Sequence, residues 1–81
     1  MIDKHVVKVI VDFAIFLEFA DQDTVDADAA MAALEQLSAE LQKAPDNVKA
    51  DLTKSFHDIS HEYGPRAGFV TDLAPILGLV E

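Results

Sequence analysis

The chain has 81 residues, of which 51% are hydrophobic and 26% charged, so it is typical of one folded domain over residues 1–81 and not of a disordered acidic tail. Asp and Glu number 15 against 6 Lys and Arg, and the net charge of -9 argues against binding to the phosphate backbone of nucleic acids. Cysteine is absent, which excludes disulfides, thiolate metal sites and cysteine nucleophiles.

The first predicted helix, residues 3–20, carries more apolar residues than one helix face needs. Six of them recur at helical spacing and form one face: Val6, Val7, Ile10, Phe13, Ala14 and Leu17. A second ridge is formed, at spacings of four, by Val11, Ile15 and Phe19. Either this helix is central and other helices cover most of its circumference, or the second ridge is a contact surface for a homodimer or for another protein.

The same segment superficially suggests a signal peptide or a membrane span, but charged residues argue against both. Asp3 precedes Lys4, Asp12 and Glu18 interrupt the apolar run, and no small-residue cleavage site follows. We therefore expect a soluble cytoplasmic protein that does not bind membranes.

The second and third predicted helices follow from capping residues and apolar spacing. Asp26 is placed to cap the second helix, and Asp28 lies in its first turn. The apolar stripe of this helix consists of Ala30, Leu34, Leu37 and Leu41. Pro45 opens the third helix, and Gly64-Pro65 ends it. Its apolar stripe consists of Val48, Leu52, Phe56, Ile59 and Tyr63.

A short last helix is predicted to begin near Pro65 and to be interrupted at Pro75. Its apolar residues are Phe69, Leu73, Ile76 and Leu77. The chain shows no strand pattern and no internal repeat, and the connections between helices are short. The predicted fold class is therefore all-α, a small four-helix bundle with a short, proline-interrupted last helix.

The densest acidic run follows the first helix and consists of Asp21, Asp23, Asp26 and Asp28. A calcium loop of the EF-hand type is excluded, because Asp26 stands where the loop needs glycine and Ala32 where it needs a bidentate glutamate. Two interpretations stay open: helix capping with solvation of the loop, or contact with Arg and Lys of a partner.

The remaining chemical groups give weak indications of catalysis. His57 and His61 are four residues apart, the spacing of helical zinc ligands, but a helical projection turns them to solvent, opposite the apolar stripe. Adventitious metal binding stays open there. Acyl carrier proteins share the size and acidity of this chain, but their Asp-Ser-Leu motif is missing from residues 23–28. We expect no enzymatic activity, no cofactor and no dedicated metal site.

Two segments carry a resemblance to known proteins. Residues 24–37 include Val25-Asp26-Ala27-Asp28 and Leu34-Glu35-Gln36, and residues 73–81 include Leu77-Gly78-Leu79. They resemble a group of small acidic bacterial proteins with a Val-Asp-Pro-Asp-like start to the second helix, a Leu-Glu-Gln segment and a Leu-Gly-Leu end. Alanine takes the place of that proline here. The resemblance implies an immunity-type protein, encoded beside a polymorphic or secreted antibacterial toxin that it binds and silences.

The predicted function is thus occlusion of the active site of a cognate toxin with a basic surface, steered by the acidic field of this chain. The charge contacts are predicted to come from Asp21, Asp23, Asp26, Asp28 and Glu35. The apolar anchor, if the second ridge is exposed, is predicted to come from Val11, Ile15 and Phe19. The alternatives are a homodimeric structural or adaptor module, whose first helices pair through the same ridge, and a metal-dependent enzyme.

Overall fold

The computed structural model describes residues 2–80, and this part of the chain is all-helical. Helix α1 spans Lys4–Phe19, α2 spans Ala27–Gln42 and α3 spans Asp46–Ile59. A 3-10 segment, Ser60–Arg66, leads into two short helices, α4 over Ala67–Thr71 and α5 over Leu73–Ile76. The predicted all-α fold with a short last helix is confirmed. The last helix is divided at Asp72 and not at Pro75 as predicted, and Pro75 lies within α5, because its ring conflicts with the carbonyl four residues before it, at Thr71. Within residues 2–80, no helix is long and apolar enough to cross a bilayer.

Two aspartates begin the first two helices. The Asp3 carboxylate accepts hydrogen bonds from the backbone N–H of His5 at 2.9 Å and of Val6 at 3.2 Å. The Asp26 carboxylate accepts one from the N–H of Ala29 at 3.1 Å. Each bond satisfies an amide that has no partner within its helix, so the predicted capping role of Asp26 is confirmed.

The core lies between α1, α3 and the two short helices. Phe56 of α3 is fully buried, and the other buried members of the cluster are Val7, Val11, Ala14, Leu52, Ile59, Val70, Leu73, Ala74, Leu77 and Leu79. Helix α2 packs against this core from one side through the partly buried Leu34, Leu37 and Leu41. Hydrogen bonds to the Leu77 carbonyl, from Ser38 Oγ at 2.6 Å and Gln42 Nε2 at 3.0 Å, attach α2 to the end of α5.

The third helix ends earlier than its apolar spacing predicts, because the chain tightens into the 3-10 segment after Ile59. Polar contacts hold this segment against α1. Lys4 Nζ lies 2.7 Å from Glu62 Oε2, and Lys8 Nζ lies 3.4 Å from Glu62 Oε1. The hydrogen bond from the Lys4 ammonium is the main cause that holds the pKa of the Glu62 carboxyl below its usual value, and Lys8 adds to it. The hydroxyl of Tyr63 donates to Asp12 Oδ1 at 2.7 Å.

Because of its burial and its contact with Asp12, we expect Tyr63 to ionise at a higher pH than an ordinary tyrosine. Burial of the phenol, followed by its hydrogen bond to the Asp12 carboxylate and the negative charges of Asp12 and Glu62, raises the pKa of Tyr63 above its ordinary value. Because the folded state favours the neutral phenol, this contribution to stability is complete below about pH 10 and is lost as the pH rises above that value.

The chain has one tyrosine and no tryptophan, so absorbance near 295 nm reports Tyr63 alone. We expect the native protein to show little phenolate at about pH 10, where the urea-unfolded chain is half ionised. In Asp12→Asn the native midpoint should fall, because the acceptor loses its charge. Equal midpoints for the native and unfolded chains would contradict the prediction.

Candidate protein-binding surfaces

The five acidic residues predicted to bind a partner lie along the α1–α2 connection and the outer face of α2. Asp21 and Asp23 lie in the turn after α1, Asp26 caps α2, and Asp28 and Glu35 belong to that helix. All five are exposed. Asp28 and Glu35 are seven residues apart, which places them on one face, two helical turns from each other.

Three of these carboxylates have no partner among the residues that the structure describes. Asp21 Oδ1 accepts the backbone N–H of Asp23 at 3.0 Å, and Asp26 is occupied by capping. The carboxylates of Asp23, Asp28 and Glu35, in contrast, take part in no hydrogen bond or ion pair within residues 2–80. The negative charge of this face is therefore available to an external cation.

Most of the cations of the chain are engaged elsewhere. Glu62 pairs with two lysines, Lys43 Nζ lies 3.2 Å from Glu40 Oε1, and Lys49 Nζ lies 3.5 Å from Asp46 Oδ1. The Arg66 guanidinium lies over the ring of Phe19, 3.7 Å from its centroid. Within the described part of the chain, none of these cations pairs with Asp23, Asp28 or Glu35.

An apolar groove adjoins the acidic face, between α2 and α5. Its volume is about 300 Å³, and two exposed apolar side chains line it, Met31 (59% exposed) and Ile76 (47% exposed). The remaining lining residues are Leu34, Glu35, Ser38, Ala39 and Gln42. The apolar spacing predicts no role for Met31, and it places Ile76 among the apolar residues of the last helix. The sequence signal that could have identified Met31 as part of a binding surface is its position between Asp28 and Glu35 on one helix face.

The second ridge of α1 was predicted to anchor a partner only if it is exposed, and most of it is not. Val11 is fully buried, and Ile15 is partly buried against the core. Only Phe19 keeps a large exposed fraction, and its ring contacts Arg66 and packs edge-on against Phe69 at a centroid distance of 5.1 Å. The prediction is wrong because the core formed by α3 and the short helices covers this side of α1. The alternative, in which other helices cover the ridge, is the one that fits.

The exposed apolar side of α1 lies instead on Val6, Val9, Phe13 and Phe16, which we call the α1 stripe. These four side chains are between 45% and 68% exposed. At 3.6 residues per turn they fall within a sector about 80° wide. Val6 and Phe13 were expected to face the core, so α1 is rotated about its axis from the predicted orientation.

The two histidines do not form the predicted helical pair. Helix α3 ends at Ile59, so His57 lies on the α-helix and His61 on the following 3-10 segment. Both are exposed. Over residues 2–80, no group of three or more His, Cys, Asp and Glu side chains is placed to hold a metal ion.

Comparison of the chain with protein-family models, with curated proteins and with solved structures gives no match.

Proposed function

We propose that this chain is an immunity protein, which binds a basic protein toxin through the acidic face of α2 and thereby blocks the active site or the substrate groove of the toxin. The observation that carries the proposal is the exposure of three carboxylates beside an apolar groove, on Asp23, Asp28 and Glu35, none of which has a partner within residues 2–80. The resemblance of residues 24–37 and 73–81 to small immunity-type proteins supports the choice of a toxin, and a cytoplasmic location belongs to the same proposal.

The physical basis is complementarity to a positive cleft. Enzymes that act on nucleic acids or nucleotides bind phosphate with Arg and Lys, and carboxylates held on a helix occupy the same donors. Because α2 is fixed by its packing and by the bonds of Ser38 and Gln42 to Leu77, its carboxylates are presented on a firm support. Met31 and Ile76 take over the anchoring role first assigned to the buried ridge, since a binding site needs a desolvated apolar centre.

The test is co-expression of the chain with the product of the neighbouring gene, followed by measurement of association rates at low and high salt. In a double variant, Asp23→Lys with Glu35→Lys, we expect association at low salt to slow by about 10-fold or more, and its salt dependence to flatten. Asp28 is left unchanged, because a lysine in the first helical turn would also weaken α2.

Glu40→Lys is the matched control. Glu40 lies on the same helix, about 140° around it from Glu35, and its replacement makes the same change in charge as Glu35→Lys alone, at an exposed position. Glu35→Lys is therefore measured as a single variant beside it, and we expect Glu40→Lys to associate at close to the wild-type rate. Equal slowing in Glu35→Lys and Glu40→Lys would mean that only net charge matters, and absence of a complex in the wild type would overturn the proposal.

A further inference from the structure

The α1 stripe is an apolar helix face without a partner in the described structure. Val6, Val9, Phe13 and Phe16 expose roughly 400 Å² of side-chain surface, if a fully exposed Phe is taken as about 200 Å². The half-buried Ile10 and Ala20 border the stripe and raise the area to between about 400 and 500 Å² per copy. Two copies of this face would together bury about 800–1,000 Å², at the lower limit for a specific protein interface.

The spacing of the stripe indicates what covers it. Its four residues lie symmetrically about the level of residue 11: Val6 and Phe16 are equally distant from that level, and so are Val9 and Phe13. Two α1 helices that cross antiparallel at this level place a valine of one copy opposite a phenylalanine of the other at every position. Large and small side chains then alternate across the interface, the arrangement that fills space without voids. A parallel pair would set Phe against Phe and Val against Val.

We infer that two copies of this chain form a symmetric dimer through the α1 stripe, with the helices antiparallel about a two-fold axis at the level of residue 11. A two-fold axis makes the contact self-complementary, so the assembly closes at two copies and does not extend into a fibre. Interfaces at this lower limit of size are typical of weak or transient association, and we therefore expect a dissociation constant in the micromolar range. The dimer interface shares no residue with the acidic face of α2, so the dimer presents two such faces. The dimer proposal does not depend on the proposed toxin binding, and either can fail without the other.

Charge gives the dimer a distinctive salt dependence. Each copy carries a net charge of -9, so the two copies repel each other at long range. No charged residue belongs to the stripe, and added salt therefore screens the repulsion while it leaves the apolar contact in place. Salt should strengthen the dimer, whereas it should weaken the capture of a basic toxin.

Sedimentation of the full chain, from about 1 to 200 µM and at two salt concentrations, tests the inference. We expect the mass to rise from monomer towards dimer across this range, with the transition at lower concentration in high salt. Val9→Glu introduces a charge at the most exposed position of the stripe and should weaken association by at least about 10-fold. Met31→Glu makes the same type of change at an exposed site on α2 and should dimerise as the wild type does.

Cross-linking tests the orientation of the helices, because the chain has no cysteine of its own. Val9→Cys and Phe13→Cys chains are mixed in equal amounts and oxidised. The antiparallel register predicts that the mixed disulfide exceeds its statistical half of the products, and a prevalence of like-with-like disulfides would overturn it. A wild-type chain that stays monomeric at about 200 µM, or equal loss of association in Val9→Glu and Met31→Glu, would overturn the dimer itself. Circular dichroism confirms that each variant is folded.

Discussion

Replacement of Phe56 by alanine is expected to lower the free energy of unfolding by about 3–5 kcal/mol. Phe56 is fully buried, and it belongs to the cluster that joins α1, α3 and the short helices. Its removal forfeits the transfer free energy of the ring and leaves a cavity among residues from several elements. A domain of this size has a total stability of about 4–12 kcal/mol, so the variant loses a large part of it and should unfold at a much lower urea concentration than the wild type.

Phe16→Ala is the control, because it deletes the same ring from a half-exposed position on α1. It should change the free energy of unfolding by less than about 1 kcal/mol. Urea unfolding followed by circular dichroism measures both variants, at chain concentrations below those at which a micromolar dimer forms. If Phe56→Ala unfolds at nearly the same urea concentration as Phe16→Ala, then the packing around Phe56 does not hold the domain together.

The helices and their starting points are predictable from the sequence because they depend on short-range chemistry. An aspartate followed by apolar residues at helical spacing specifies a capped helix within a few residues, as at Asp26. The 3-10 segment after α3 is less predictable. Its geometry depends on tertiary contacts, the bonds of Glu62 to lysines and of Tyr63 to Asp12, which join residues about 50 positions apart.

The orientation of α1 illustrates why periodicity alone does not identify a core face. Apolar residues occupy most of its circumference, so several rotations about the helix axis bury a comparable apolar area. The observed rotation buries Val7 and Val11 and leaves Val9 and Phe13 outside. This rotation also brings the ammonium groups of Lys4 and Lys8 to Glu62, a residue more than 50 positions away in the sequence. A local pattern contains no information about such partners.

The acidic part of the candidate site was predictable for a simple reason: carboxylates without partners remain at the surface. The apolar part was not, because Met31 and Ile76 come from different helices and meet only in the folded chain. Val11 and Ile15 do not supply the apolar anchor, for the same reason that the predicted orientation of α1 is wrong: the spacing of apolar residues does not identify which side of α1 faces the core. Once α1 is rotated, the apolar candidates become the α1 stripe and the groove beside α2.

The second largest effect is expected at Gly78, in the turn after α5. Its φ is +73°, a left-handed conformation that costs other residues about 1–2 kcal/mol. A Cβ at this position would also collide with the side-chain amide of Gln42. That amide donates to Ser38 Oγ at 2.8 Å and to the Leu77 carbonyl at 3.0 Å, so its displacement breaks one of the two hydrogen bonds that attach α2 to the Leu77 carbonyl and leaves the other, from Ser38. We expect Gly78→Ala to destabilise the domain by about 2–3 kcal/mol.

A double variant separates the two causes of this penalty, the collision of a Cβ with Gln42 and the left-handed φ at position 78. The double variant Gly78→Ala with Gln42→Ala removes the collision, so its loss should be smaller than the sum of the single losses by about 1 kcal/mol. Gly68→Ala should instead stabilise the chain by about 0.5–1 kcal/mol, because Gly68 lies in α4 with open space around its Cβ position. Urea unfolding measures all of these variants. Strictly additive losses at Gly78 and Gln42 would show that a methyl group at position 78 does not act through the Gln42 amide, so that the penalty at Gly78 comes from its backbone conformation alone.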